Sequence, residues 1–222
     1  MPRFIHIGTP SPDISYKDGA RAVANGTASP TVNYPSTVAD EIMLAFYVTN
    51  SASNASGTPP SGWTKVEEAD GTDESAGVFW RRATGSEPAS ETWTNIFDAS
   101  ESSLWIVLTY EGCITSGSPI DVSANDTSGF GSSKSIGATT VTNRCMALGM
   151  FGIDPGGTIL ATYTGGSTKR IDSDTTPSGQ DGTLNYMTIG EKIVAPAGAY
   201  TIDCTLDTSE TASEVTLSLK PA

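Results

Sequence analysis

The sequence predicts an all-β protein: an antiparallel, jelly-roll-like β-sandwich of about ten strands behind an irregular N-terminal segment. Three observations predict it. Apolar residues recur at every second position through most of the chain. Clusters of Gly, Pro, Asn and Ser separate those runs. Charged residues are only 17% of the chain, against roughly 25% in ordinary domains, and threonine, which suits a pleated surface, fills much of the remainder.

With 222 residues, a single domain over 1–222 is expected, because sandwiches of roughly 200–250 residues are commonly one domain. Residues 1–37 read as an arm or long loop with room for one short strand, and 38–222 as the core. The segment RFIHIG (3–8) alternates, but Pro10, Pro12, Pro30 and Pro35 interrupt the rest of the arm. EIMLAFYVT (41–49) sets Ile42, Leu44, Phe46 and Val48 on one face and Met43, Ala45 and Tyr47 on the other. A strand apolar on both faces is an inner strand, covered on one side by the core and on the other by a loop, a second layer or a partner. SLWIVLTYE (103–111) and CMALGMFGI (145–153) have the same character.

Between and after them lie WTKVEEA (63–69), GVFWRRA (77–83), ETWTNIF (91–97), TILATYT (158–164), NYMTIGEKI (185–193) and AYTIDCTL (199–206). SEVTLSLK (213–220) points Val215, Leu217 and Leu219 one way and Glu214, Thr216, Ser218 and Lys220 the other, which predicts a half-exposed strand. Residues 51–62, 69–77, 84–90, 154–157, 172–182 and 195–198 carry turn chemistry. Residues 122–140, DVSANDTSGFGSSKSIGAT, read as a long polar loop.

The net charge of −13 opposes binding to nucleic acid and to anionic membranes, both polyanionic. No apolar run approaches the roughly 20 residues that span a bilayer as a helix, and the N-terminus lacks a signal-peptide core. The chain therefore reads as a soluble protein made in a cytoplasm. Cys113, Cys145 and Cys204 are odd in number and widely spaced. They read as small buried hydrophobes rather than a disulfide framework or zinc site.

Groups able to do chemistry are sparse. His6 is the one histidine, and no G-x-S-x-G elbow accompanies it. GFGSSKS (129–135) imitates a phosphate loop but places Ser133, not glycine, before Lys134. Asp172, Asp174 and Asp181 share one loop, which suits turn-building carboxylates better than calcium. The Asn25, Asn54 and Asn125 glycosylation patterns carry little meaning without a secretion signal. No catalytic, cofactor-binding or metal-binding residue is assigned, and no enzyme activity is expected.

Trp63, Trp80, Trp93 and Trp105 fall on successive expected strands, so their rings should meet on a sheet face as packing. A sugar-stacking platform and a subunit contact are the alternatives. Arg81 and Arg82 should point to opposite faces, one solvated and the other paired with Glu67, Glu68 or a neighbouring subunit.

Within residues 60–121, PPSGWTKV, GVFWRRATGSEPAS and WIVLTYEGCITSGSPID succeed one another. This series resembles a pattern of bacteriophage virion proteins and their prophage-encoded relatives. There, a loop ends in Pro-Ala/Ser-Gly-Trp-Thr, a strand runs into a Gly-Ser-Glu-Pro turn, and a Tyr-Arg-Gly-like triplet precedes a Pro-Ile-Asp close. Tyr110-Glu111-Gly112 departs from that triplet at its middle position. The resemblance implies a jelly-roll-like module on phage heads or tails, and it carries over no catalytic residue. The expected function is thus a non-enzymatic structural component of a phage particle. It would sit on the virion surface as a head decoration (cement) subunit or tail appendage, multimeric or lattice-bound, with capsid or tail subunits as partners. A glycan-binding adhesin for a host surface receptor is the alternative.

Overall fold

A computed structural model of the chain describes residues 13–50, 55–72, 74–153, 159–174 and 185–222. Those residues form thirteen strands and no helix. The first sheet has the order β1-β7-β3-β5-β4, built from β1 (Ser15–Thr27), β3 (Ile42–Thr49), β4 (Thr64–Asp70), β5 (Ser75–Arg82) and β7 (Glu101–Glu111). The second has the order β10-β13-β9-β12-β11, from β9 (Cys145–Ile153), β10 (Ala161–Thr164), β11 (Thr168–Asp174), β12 (Tyr186–Val194) and β13 (Ala199–Leu219). β8 (Ile120–Thr139) joins it by pairing with β13. The short β2 (Thr31–Asn33) and β6 (Ser90–Thr92) pair separately. Every pairing is antiparallel. The sandwich expected from the sequence is present; this strand order does not by itself establish a jelly roll.

Period-two alternation sorts side chains into three apolar layers. Ile42, Leu44, Phe46 and Val48 of β3 face Met146, Leu148 and Met150 of β9 and Val215, Leu217 and Leu219 of β13 in the space between the sheets. Met43, Ala45 and Tyr47 point the other way, into a second cluster roofed by Val32, Tyr34, Trp63, Trp93, Ile96 and Phe97. The doubly apolar strands therefore have two covers: the opposite sheet and a roof of loops.

The third layer overturns two expectations. Residues 122–140 are not a loop; all but the last of them lie in β8, a 20-residue strand. Residues 199–206 and 213–220 are not separate strands; β13 runs through both as a 21-residue strand. Together β8 and β13 form a ribbon that bends near residues 207–212. Its 213–219 half pairs with β9 inside the second sheet. Its 199–205 half, paired with residues 133–139 of β8, doubles back over that sheet's outer surface. Ile136, Tyr200, Ile202, Cys204 and Leu206 there cover Ala147, Phe151 and Tyr186.

Two glycines make the close approach possible. Gly149 and Gly190 are register partners on β9 and β12. A Cβ on Gly149 would lie 2.7 Å from Ile202, and one on Gly190 would lie 2.1 Å from the Tyr163 ring. Glycine within a strand is the sequence mark of such an approach. The polar face of residues 214–218, expected in solvent, is consequently buried: Glu214, Thr216 and Ser218 lie under the ribbon, and Tyr200 Oη lies 3.0 Å from Thr216 Oγ1.

The N-terminal arm is corrected too. Residues 15–27 are a strand, β1, paired with β7 along most of its length. Of ETWTNIF only Glu91 and Thr92 lie in β6, and Trp93 comes directly after them, ahead of a turn at 94–95. The expected strand at 3–8, with His6, lies outside the described residues, as does Asp181; Asp172 and Asp174 sit in β11 rather than in a turn.

Polar contacts close the flanks. Glu67 of β4 accepts hydrogen bonds from Ser123 Oγ (2.9 Å) and Asn125 Nδ2 (2.6 Å) of β8. Across the molecule, the buried Glu191 of β12 accepts from Tyr110 Oη (2.7 Å) and pairs with Arg170 at 2.5 Å, and the guanidinium stands 5.2 Å from the centre of the Tyr16 ring.

Candidate functional site

Two regions concentrate polar groups in unusual surroundings: the turns of the 60–121 pattern and the bend of the β8–β13 ribbon.

In the first region Trp63 N donates to Pro60 O (3.1 Å), closing a turn in which Gly62 has φ +90°. That conformation suits glycine. The turn drives Trp63 under the loop roof, where its ring lies 5.2 Å from that of Trp93. Both indoles donate to one atom, Tyr34 Oη, at 3.1 and 3.0 Å, and Tyr34 Oη in turn donates to Glu91 Oε2 at 2.9 Å. Burial raises the Tyr34 pKa, so the phenol stays protonated. Tyr34→Phe strips two buried N–H groups of their acceptor. An unsatisfied buried donor costs about 1–3 kcal/mol, so we expect a loss of about 2–3 kcal/mol in urea unfolding with the fold retained.

The Gly-Ser-Glu-Pro turn works similarly. Glu87 accepts from Thr84 N (2.6 Å), Thr84 Oγ1 (2.9 Å), Gly85 N (3.0 Å) and Thr37 Oγ1 (2.6 Å). Burial pushes its pKa up, but these hydrogen bonds outweigh it and hold the carboxyl at about 2. Arg81 lies 3.5 Å from Glu87 and 3.9 Å from Glu91. Arg82 donates instead to Ile114 O (2.7 Å) and Gly117 O (3.2 Å). Neither arginine takes the expected partner: Glu67 is engaged by β8, and Glu68 by Tyr47, Ala55 and Lys65.

Three indoles, Trp63, Trp93 and Trp105, meet in the roofed cluster as expected of packing. Trp80 separates from them and packs against the inter-sheet core. None of the three cysteines forms a disulfide and all are buried, with burial raising the thiols of Cys113 and Cys145 to about 12.

The second region escaped sequence reasoning. Lys134, near the end of the phosphate-loop imitation, is buried, and its ammonium donates to Gly129 O (3.0 Å) and Glu210 O (2.6 Å). It is occupied by backbone carbonyls, not by an anion. Under the ribbon, Glu214 is 0% exposed, and neither carboxylate oxygen has a partner at full hydrogen-bond geometry. Burial drives its pKa up to about 7, opposed by Ser128 and Lys134 and aided by Asp126. A groove of ≈ 270 Å³ opens beside the bend, lined by Asp70, Thr72, Glu74, Thr127, Ser128 and Thr211.

A carboxyl titrating near neutrality can move a proton, but a general base must reach its substrate. Glu214 does not line the groove. Among the described residues, no group of three or more His, Cys, Asp or Glu side chains is arranged to hold a metal ion. Among the same residues, no helix is long and apolar enough to cross a membrane. Polar composition hid this region: a serine- and glycine-rich run looks like a loop when its partner strand, β13, lies far along the chain. The glycines in 145–153 and 185–193 were the available signal of a layer pressed against them. Set against known proteins, the chain matches no family model, no curated protein and no solved structure.

Proposed function

We propose that this protein is a non-enzymatic structural component of a bacteriophage particle. It is exposed on the virion surface as a head decoration subunit or tail appendage, held by capsid or tail subunits and by further copies of itself. One observation carries the reading. The residues that bear the virion-protein resemblance are used to build the sandwich: Gly62 turns the chain, Trp63 anchors the loop roof, Glu87 caps its turn and Tyr110 ties β7 to β12. A pattern of residues that specify a fold supports a shared build, and shared build is what structural virion modules have in common. The adhesin alternative loses its main support, since Trp63, Trp93 and Trp105 are buried and cannot stack on sugar.

Gradient-purified particles should carry the chain at constant stoichiometry through successive rounds of banding, monitored by antibody or mass spectrometry. Recovery solely from the soluble lysate overturns the proposal. Retention of a host glycan by the isolated protein would transfer it to the adhesin class.

A further inference from the structure

Where β8 and β13 bend, a buried ammonium and a buried carboxyl act on each other through their charges, and the ammonium is bonded elsewhere. Lys134 Nζ bridges the two strands through Gly129 O and Glu210 O. Glu214 lies beneath, with neither oxygen partnered at full hydrogen-bond geometry. Of the carboxyl groups that act on Lys134, Glu214 acts most strongly, ahead of Glu74 and Glu210. The bend is also where the ladder is irregular: register slips between Thr205 and Glu210 and again before Ala212. Gly129 and Gly131 flank Phe130 there, and a Cβ on either glycine would meet nothing within 4 Å. The backbone has room to move, and Phe130, 77% exposed, crowns the bend.

We propose that Lys134 is a two-position latch: it clamps the Gly129 and Glu210 carbonyls while Glu214 is protonated, and it swings to the Glu214 carboxylate on ionisation, releasing the bend. An ammonium–carboxylate hydrogen bond is roughly twice as strong as one between neutral groups, and stronger still away from water. An ionised Glu214, with the Ser128 hydroxyl beside it but no cation bonded to it, therefore draws the Lys134 ammonium, whose charge already acts on it. The charged and titratable groups around the pair are Lys134 and Asp126 of β8, Glu210 and Cys204 of β13, and Glu74 ahead of β5. Asp126 opposes ionisation; the Ser128 hydroxyl and Lys134 favour it. Burial sets the balance near neutrality, so ordinary changes of solution pH throw the latch.

Amide hydrogen exchange on the full chain at pH 5.5 and 8, corrected for intrinsic rates, tests this. Protection at 127–133 and 206–213 should fall about tenfold at pH 8 while β3 and β7 hold theirs. Glu214→Gln should keep the bend protected at both values, and Lys134→Met should leave it unprotected at both. Equal protection at the two pH values overturns the latch. So does an equal loss in β3 and β7, or a pH response that survives in Glu214→Gln. If a variant does not fold, NMR titration of the natural chain decides: the Glu214 carboxyl carbon and the Lys134 ammonium nitrogen should share one midpoint. A Lys134 signal indifferent to that titration overturns the proposal.

Discussion

Glu214→Gln is expected to stabilise the protein at pH 8 by up to about 3 kcal/mol and to have little effect at pH 4.5. In the unfolded chain the carboxyl titrates near its ordinary 4.5; in the folded chain it titrates at about 7. Below 4.5 both forms carry the proton and no difference arises. Between 4.5 and 7 only the unfolded chain releases it, so the contribution of Glu214 to stability falls as pH rises. Above 7 both forms are ionised and the loss is complete. Each pH unit of that window is worth 1.36 kcal/mol, which totals about 3 kcal/mol. Glutamine keeps the shape and removes the charge. Urea unfolding of both proteins at the two pH values measures the difference, and an equal gap at both would show that the carboxyl folds without a buried charge.

Trp105→Ala should be the most damaging single change in the loop-roofed cluster, at about 3–5 kcal/mol. Trp105 is fully buried on the inner strand β7, with its ring 4.9 Å from Trp93, 5.1 Å from Tyr47 and 5.9 Å from Phe97. Its indole N–H donates to Ser103 Oγ at 3.0 Å. Alanine would leave a cavity among rigid aromatics and deprive the serine hydroxyl of its indole donor. A domain of ordinary stability holds only about 5–15 kcal/mol, so the urea midpoint should drop steeply. Trp105→Phe should restore part of the loss by refilling the ring site. A loss under about 1 kcal/mol would mean that the indole does not anchor the roof.

The strands legible in advance are those whose side chains do the packing. Ile42 to Val48, Leu104 to Tyr110 and Met146 to Met150 alternate because each face meets a different apolar layer, and that alternation is local to the sequence. β1 and β8 hid because they are held largely by main-chain ladders to segments far along the chain, as in Ala20↔Val107 and Ile136↔Ile202. Such pairing needs no particular side chain. Alternation alone sends Glu214 to solvent, because it reports which residues share a face and not what covers that face. The same gap misdirects Arg81: its partners, Glu87 and Glu91, come from the turn after its own strand and from β6 rather than from the strand beside it. The bend was illegible for a related reason, since its chemistry belongs to two strands whose contact residues lie 76 positions apart.

The span of β13 bears on how this chain reaches its native state. Its last residues fill the middle of one sheet while its first residues roof that same sheet from outside. The outer face of β9 is not covered until residues near 206 have been made, and its pairing edge and inner packing not until residues near 219. Contacts so distant in sequence are slow to form, because loop-closure entropy is lost before they reward it. Assembly of the second sheet therefore waits for the strand farthest along this fold, and until then the apolar surfaces of β9 and β12 stand open to unwanted association.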